Sequence, residues 1–190
     1  MDVRVESGFP WDGRVRIHVR AKHSGFRLAL CIPGWCEGYT VTCGGEFEKT
    51  EKDGCLYLKK EWGEEDILEL DFPMYVKLIA ANPAVRETIG KVAVTRGPVV
   101  YCLEEADNGK NLHLLSVDPS GSADVIEEAV CGEKAKTVLL CGWREREADQ
   151  TQELYHVWRK ERKEAVMLKF IPYYMWANRM ENEMRVWVRR

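Results

Sequence analysis

Arg14-Val15-Arg16-Ile17-His18-Val19-Arg20 alternates without a break. Val15, Ile17 and Val19 fall on one side, and Arg14, Arg16, His18 and Arg20 on the other. A period of two with one charged side predicts a strand that buries one face and wets the other. Asp12-Gly13 in front of it is a turn signal. Working outward, the same grammar repeats. Phe26 to Ile32 reads as a strand stopped by Pro33-Gly34, and Tyr39 to Cys43 runs into Gly44-Gly45, read as a two-residue hairpin turn. Asp53-Gly54 turns the chain into Cys55 to Leu58, Ile67 to Phe72 is stopped by Pro73, and Met74 to Ile79 follows. Lys91 to Thr95 and Val99 to Leu103 flank Arg96-Gly97-Pro98, where Gly97 suggests a bulge and Pro98 the first residue of a strand. Short strands punctuated this often predict an all-β fold of antiparallel sandwiches.

Beyond Leu103 the pattern loosens. Asp107-Asn108-Gly109 is a breaker in a polar stretch, and the boundary between two jelly-roll-like β-sandwich domains, 1–105 and 106–190, is placed there. Leu112 to Val117, Thr137 to Cys141, Ala165 to Ile171 and Met184 to Val188 are strand candidates in the second. Thr151 to Lys163 fits helix or strand by spacing and is read as a strand leading into a charged hairpin loop. Ile171 to Arg179 is read as an extended segment with two apolar faces.

Composition narrows the function. In 190 residues, 28 basic and 31 acidic side chains give a net charge of −3, and residues 1–105 carry 14 of the bases and 17 of the acids. No basic stripe exists for nucleic acid to grip, and no apolar run approaches membrane-spanning length. Met1-Asp2-Val3-Arg4 leads into charged residues, so no signal peptide and a cytoplasmic location are expected. Seven cysteines with no C-x-x-C pair point to reduced, mostly structural thiols and to no structural zinc.

Motifs for chemistry are sparse. Glycoside cleavage needs two carboxyl groups about 5 to 10 Å apart. Glu104-Glu105 and Glu127-Glu128 are sequence neighbours that a strand aims at opposite faces, so they read as solvated turn and edge carboxylates. Glu181 and Glu183 share a face only if their stretch is extended. Cys36 with His18 or His23 is a weak nucleophile arrangement, and there is no G-x-S-x-G, H-E-x-x-H or P-loop. The seven tryptophans are the unusual class; they anchor cores and interfaces or, on a surface, stack on sugar rings.

Longer strings go further. Phe9-Pro10-Trp11-Asp12-Gly13, Leu28 to Cys36 (LALCIPGWC), Val92 to Cys102 (VAVTRGPVVYC), Ile171 to Arg179 (IPYYMWANR) and the closing Glu183-Met184-Arg185-Val186-Trp187 occur in one order along the chain. Together they resemble the non-catalytic C-terminal region of glycoside hydrolase family 127, the β-L-arabinofuranosidase-like enzymes. The resemblance implies β-sandwich domains that follow an (α/α)6 catalytic barrel, with the family's cysteine nucleophile and zinc site on that barrel. No residue here matches those motifs, so no catalytic or metal residue is carried over and no cofactor is expected in this chain. Met180 departs from the family's pattern, which tends to glycine there. The resemblance implies a detached accessory region that contacts the enzyme's own barrel, with a homodimer and arabinose-containing glycans as further expected partners. Trp11, Arg96, Tyr174, Trp176, Asn178 and Arg179 are the candidate interface or sugar-contact residues, with Arg179 expected to bond across the boundary to the barrel or to a second copy of the chain.

Overall fold

A computed structural model describes residues 1–22, 24–145, 155, 157–158 and 162–190. It is all-β and divides into two compact units, Met1–Tyr75 and Val76–Arg190.

The first unit holds β1 (Asp2–Ser7), β2 (Arg14–Arg20), β3 (Ser24–Cys31), β4 (Thr40–Cys43), β5 (Glu48–Lys52), β6 (Cys55–Trp62) and β7 (Asp66–Asp71). Two antiparallel sheets form, ordered β1-β2-β7-β4 and β3-β6-β5. The alternation of β2 does what it predicts: Ile17 and Val19 are buried, and Ile17 faces Leu68 of β7 in register. From the other sheet β6 contributes Leu56, Leu58 and Trp62 to the same core. The Trp62 indole N–H donates to the Phe26 carbonyl at 2.9 Å, so this large ring is buried with its polar atom satisfied. Gly13 is required by contact, because a Cβ there would stand 1.8 Å from the Phe72 carbonyl oxygen.

Asp53 and Gly54 both take positive φ, 51° and 74°, the signature of a type I′ turn, and join β5 to β6. Gly44-Gly45 does not make the expected hairpin. β4 pairs with β7 and β5 with β6, so these glycines carry the chain from one sheet to the other.

The second unit holds β8 (Val76–Ile79), β9 (Lys91–Arg96), β10 (Val99–Glu104), β11 (Leu115–Val117), β12 (Ala123–Val130), β13 (Glu133–Glu145), β14 (Lys163–Pro172), β15 (Met184–Arg185) and β16 (Val188–Arg189). A four-residue helical turn, α1 (Glu105–Asn108), follows β10. The order is β15-β10-β14-β13-β11-β16-β9-β8, with β12 beside β13, and β10 also pairs with β9. That last pairing joins the layers, so six strands run in a closed circuit around Val92, Val94, Tyr101, Leu103, Leu115, Val138, Leu168 and Phe170. Pairing is antiparallel throughout except for β11 on β16.

Two expectations change here. The boundary lies at residue 75, not 105. β10 pairs with β14 through Tyr101, Cys102 and Leu103 and fills the second core, and Asp107-Asn108-Gly109 is an internal turn. Gly97-Pro98 is a two-residue hairpin loop between paired Arg96 and Val99, not a bulge; Gly97 takes the positive φ of 55° that the first position of such a loop needs. The strand and hairpin loop expected over Thr151 to Lys163 lie largely outside the described residues, which there are 155, 157–158, 162 and Lys163, the first residue of β14.

Candidate functional site

The segment after β14 is not extended, and the reason is local. β14 ends at Pro172, and Tyr173–Met175 closes into a single 3-10 turn. Met175 is buried and anchors the turn, while Tyr174 is 58% and Trp176 36% exposed. Tyr173 and Trp176 lie nearly parallel, with ring centroids 6.5 Å apart at 21°. Tyr173 and Met180 are exposed as well, which gives an aromatic arm with a thioether at its end. Met180 does not have positive φ; the left-handed residue is Ala177, at φ 63°. Holding a residue with a Cβ there costs about 1–2 kcal/mol. The Ala177 N–H donates to Glu104 Oε1 at 2.9 Å, which compensates that strain.

Glu104 is the pivot, and it is fully buried rather than a solvated carboxylate. It ends β10 inside the unit, where Arg179 reaches it: Nε donates to Oε2 at 3.0 Å and a second guanidinium nitrogen reaches the same oxygen. Arg179 also donates to Asp107 Oδ1 at 3.1 Å. Lys169 Nζ lies 3.2 Å from Asp107 and 2.9 Å from the Glu128 carboxylate, and Thr137 Oγ donates to Glu128 at 2.6 Å. Asn108 completes the frame. Its side chain donates to the Lys169 carbonyl at 2.8 Å and accepts from the Lys169 N–H at 2.9 Å, as a neighbouring strand would. Glu183 ties the far end of the arm, accepting from the Leu112 N–H at 2.8 Å and from Arg185 at 3.0 Å.

The electrostatics follow. Burial would raise Asp107, but the hydrogen bonds and charges of Arg179 and Lys169 outweigh it and hold the carboxyl below its ordinary value. Glu128 behaves alike: burial pushes it up, while Thr137 and Lys169 bring it below the usual range. Arg179 is raised, first by its bond to Asp107 and also by Glu104, against the opposing effect of burial. Arg179, expected to bond across the boundary to a barrel or second copy, is here held inside its own unit by Glu104 and Asp107. Arg96, expected as a contact residue, is instead nearly buried. It is 8% exposed on β9 and acts on Tyr101, whose hydroxyl burial lifts to about 12 while the Arg96 hydrogen bond and charge oppose the rise.

Of the remaining candidates, Tyr174 and Asn178 share a depression of 390 Å³ with Cys131, Glu133 and Met175. Trp176 is on the arm through its stack on Tyr173. Trp11 lies in the first unit, half-buried in the turn that its N–H closes onto the Gly8 carbonyl at 2.9 Å. A larger depression of 630 Å³ in that unit is lined by Glu6, Asp12, Arg14, Arg16, Glu69 and Asp71 among others. Arg16 is paired with Glu69 at 2.6 Å and Arg14 with Asp12 at 3.1 Å, the pattern of a solvated ionic face. Among the described residues no three His, Cys, Asp or Glu side chains stand close enough to hold a metal ion, and no helix is long and apolar enough to cross a membrane.

Two antiparallel β units, the second ending in an aromatic arm pinned by buried charge, define the class of chain. Residues 1–74 match the β-L-arabinofuranosidase GH127 middle domain, and residues 76–189 match the glycoside hydrolase family 127 C-terminal domain. The chain belongs to glycoside hydrolase family 127. The two matches meet where the units divide. Over 200 residues it is 38% identical to the non-reducing end β-L-arabinofuranosidase of Bifidobacterium longum subsp. longum, covering all of this chain and 30% of that protein. The crystal structure of a GH127 β-L-arabinofuranosidase from Geobacillus stearothermophilus T6 superposes with a TM-score of 0.91 at 40% identity, over 98% of this chain and 30% of that one. Another GH127 β-arabinofuranosidase gives a TM-score of 0.86 at 28% identity, over 98% of this chain and 31% of that one. The chain thus spans about three tenths of the length of these relatives.

Proposed function

We propose that this chain is the non-catalytic β region of a β-L-arabinofuranosidase, and that its aromatic arm braces the (α/α)6 catalytic barrel that the family resemblance implies. The observation that carries this reading is the arm itself. Tyr173, Tyr174, Trp176 and Met180 are exposed, yet their backbone is fixed by a buried ionic frame. Rigid, exposed aromatic side chains lose little entropy on docking and are the residues that anchor interfaces. The relatives supply the occupant, since seven tenths of their length has no counterpart in this chain.

The test uses that remaining part of the Geobacillus relative, expressed separately. Adding this chain should raise its melting temperature in a concentration-dependent way, as a ligand of the folded state does. This chain alone should not hydrolyse a nitrophenyl β-L-arabinofuranoside. Turnover abolished by one point substitution in this chain, or no shift at any concentration, would overturn the reading. A second reading rests on the depression beside the arm, where the Tyr174 ring, the Asn178 amide and the Glu133 carboxylate could receive an arabinose-containing glycan. In that case arabinose oligosaccharides would shift the tryptophan fluorescence without the catalytic region present.

A further inference from the structure

We propose that Cys31 and Cys55 form a reversible thiol–disulfide site on the outer face of the first unit. They are direct cross-strand partners on β3 and β6, and both are free thiols. The next pair outward, Ile32 and Gly54, is hydrogen-bonded, with the Ile32 N–H on the Gly54 carbonyl at 2.9 Å. Ladder alternation therefore makes Cys31 and Cys55 a non-hydrogen-bonded pair, the kind with Cα atoms about 4.5 Å apart and side chains closest. That separation falls within the span a disulfide bridges, about 4.4–6.8 Å. The sulfurs already face each other at 3.7 Å, so side-chain rotation brings them into bonding range without moving a strand.

Access and reactivity agree with this placement. Leu56, Leu58 and Trp62 of β6 point into the core, so the alternate positions, Cys55 among them, point outward. Cys31 is exposed and Cys55 half-buried. The greater exposure of Cys31 favours it as the sulfur that meets a soluble oxidant first. The oxidant is a low-molecular-weight disulfide. The Cys31 thiolate attacks one sulfur of it, the small disulfide's S–S bond breaks, and one small thiol leaves. Cys55, as thiolate, then attacks the Cys31 sulfur and displaces the second small thiol. The protein loses two hydrogens, the two electrons reside in the two small thiols, and excess dithiol reverses the sequence.

The test treats the folded chain with excess oxidised glutathione at mildly alkaline pH, followed by non-reducing digestion and mass spectrometry. The expected product is a peptide pair linked through Cys31 and Cys55 that lacks two hydrogens and is separated by dithiothreitol. Cys31→Ser should instead leave one glutathionyl group on Cys55. Cys131 and Cys141, exposed in the second unit and ten positions apart, serve as unpaired comparisons that take single adducts. Stable separate adducts on Cys31 and Cys55, or a linked pair that forms only in urea, would overturn the assignment.

Discussion

At the residue scale the molecule turns on Arg179 and Glu104. A carboxylate with no solvent access survives only because a guanidinium and the Ala177 N–H satisfy it. Arg179→Ala would strip the buried Glu104 of its counter-charge and leave Asp107 to Lys169 alone, and should lower the urea-unfolding free energy of the second unit by about 3–5 kcal/mol. Arg179→Met combined with Glu104→Leu should cost less than Arg179→Ala alone, because no orphan charge remains. The network also sets a pH dependence. Asp107 is held below its ordinary value of 3.8, so its contribution is complete above that pH and is lost as pH falls through the depressed value. Acid unfolding of the second unit should flatten over that range in Asp107→Asn, measured as the pH dependence of the urea midpoint. None of this was legible beforehand. Glu104 and Arg179 stand 75 positions apart, and Glu104-Glu105 looks like any exposed acidic pair until β10 carries its end inside.

At the element scale β2 was the most readable piece. Its face is set by neighbours on one strand, so alternation alone places Ile17 and Val19 in the core. Ile17→Ala should cost about 2–5 kcal/mol by chemical denaturation of the first unit. Turn chemistry was half readable. Asp53-Gly54 closes a hairpin with both residues at positive φ, whereas Gly44-Gly45, an equally good turn pair by composition, joins different sheets. Which strands flank a glycine pair is decided by long-range pairing, and local sequence does not contain it. Ile171 to Arg179 failed for a related reason. Its two-sided apolar composition fits an extended strand, but buried Met175 and the hold on Ala177 favour a turn that throws the aromatic rings outward.

For the whole molecule, the boundary is the instructive error. Asp107-Asn108-Gly109 carries every mark of a linker, yet Asn108 is stitched into β14 and Asp107 into the ionic frame. A segment comprising residues 76–190 should therefore fold alone with cooperative unfolding. Residues 106–190 should not, since β9 and β10 would be missing from the second sheet. Circular dichroism and urea titration of the two fragments would distinguish them. The most direct test of the brace is calorimetric titration of this chain into the separately expressed remainder of the Geobacillus relative. The Tyr174→Ala, Trp176→Ala double variant should keep its own stability within about 1 kcal/mol, as exposed positions do, yet bind about 30-fold or more weakly. Equal affinity of the variant and the unaltered chain would contradict the account.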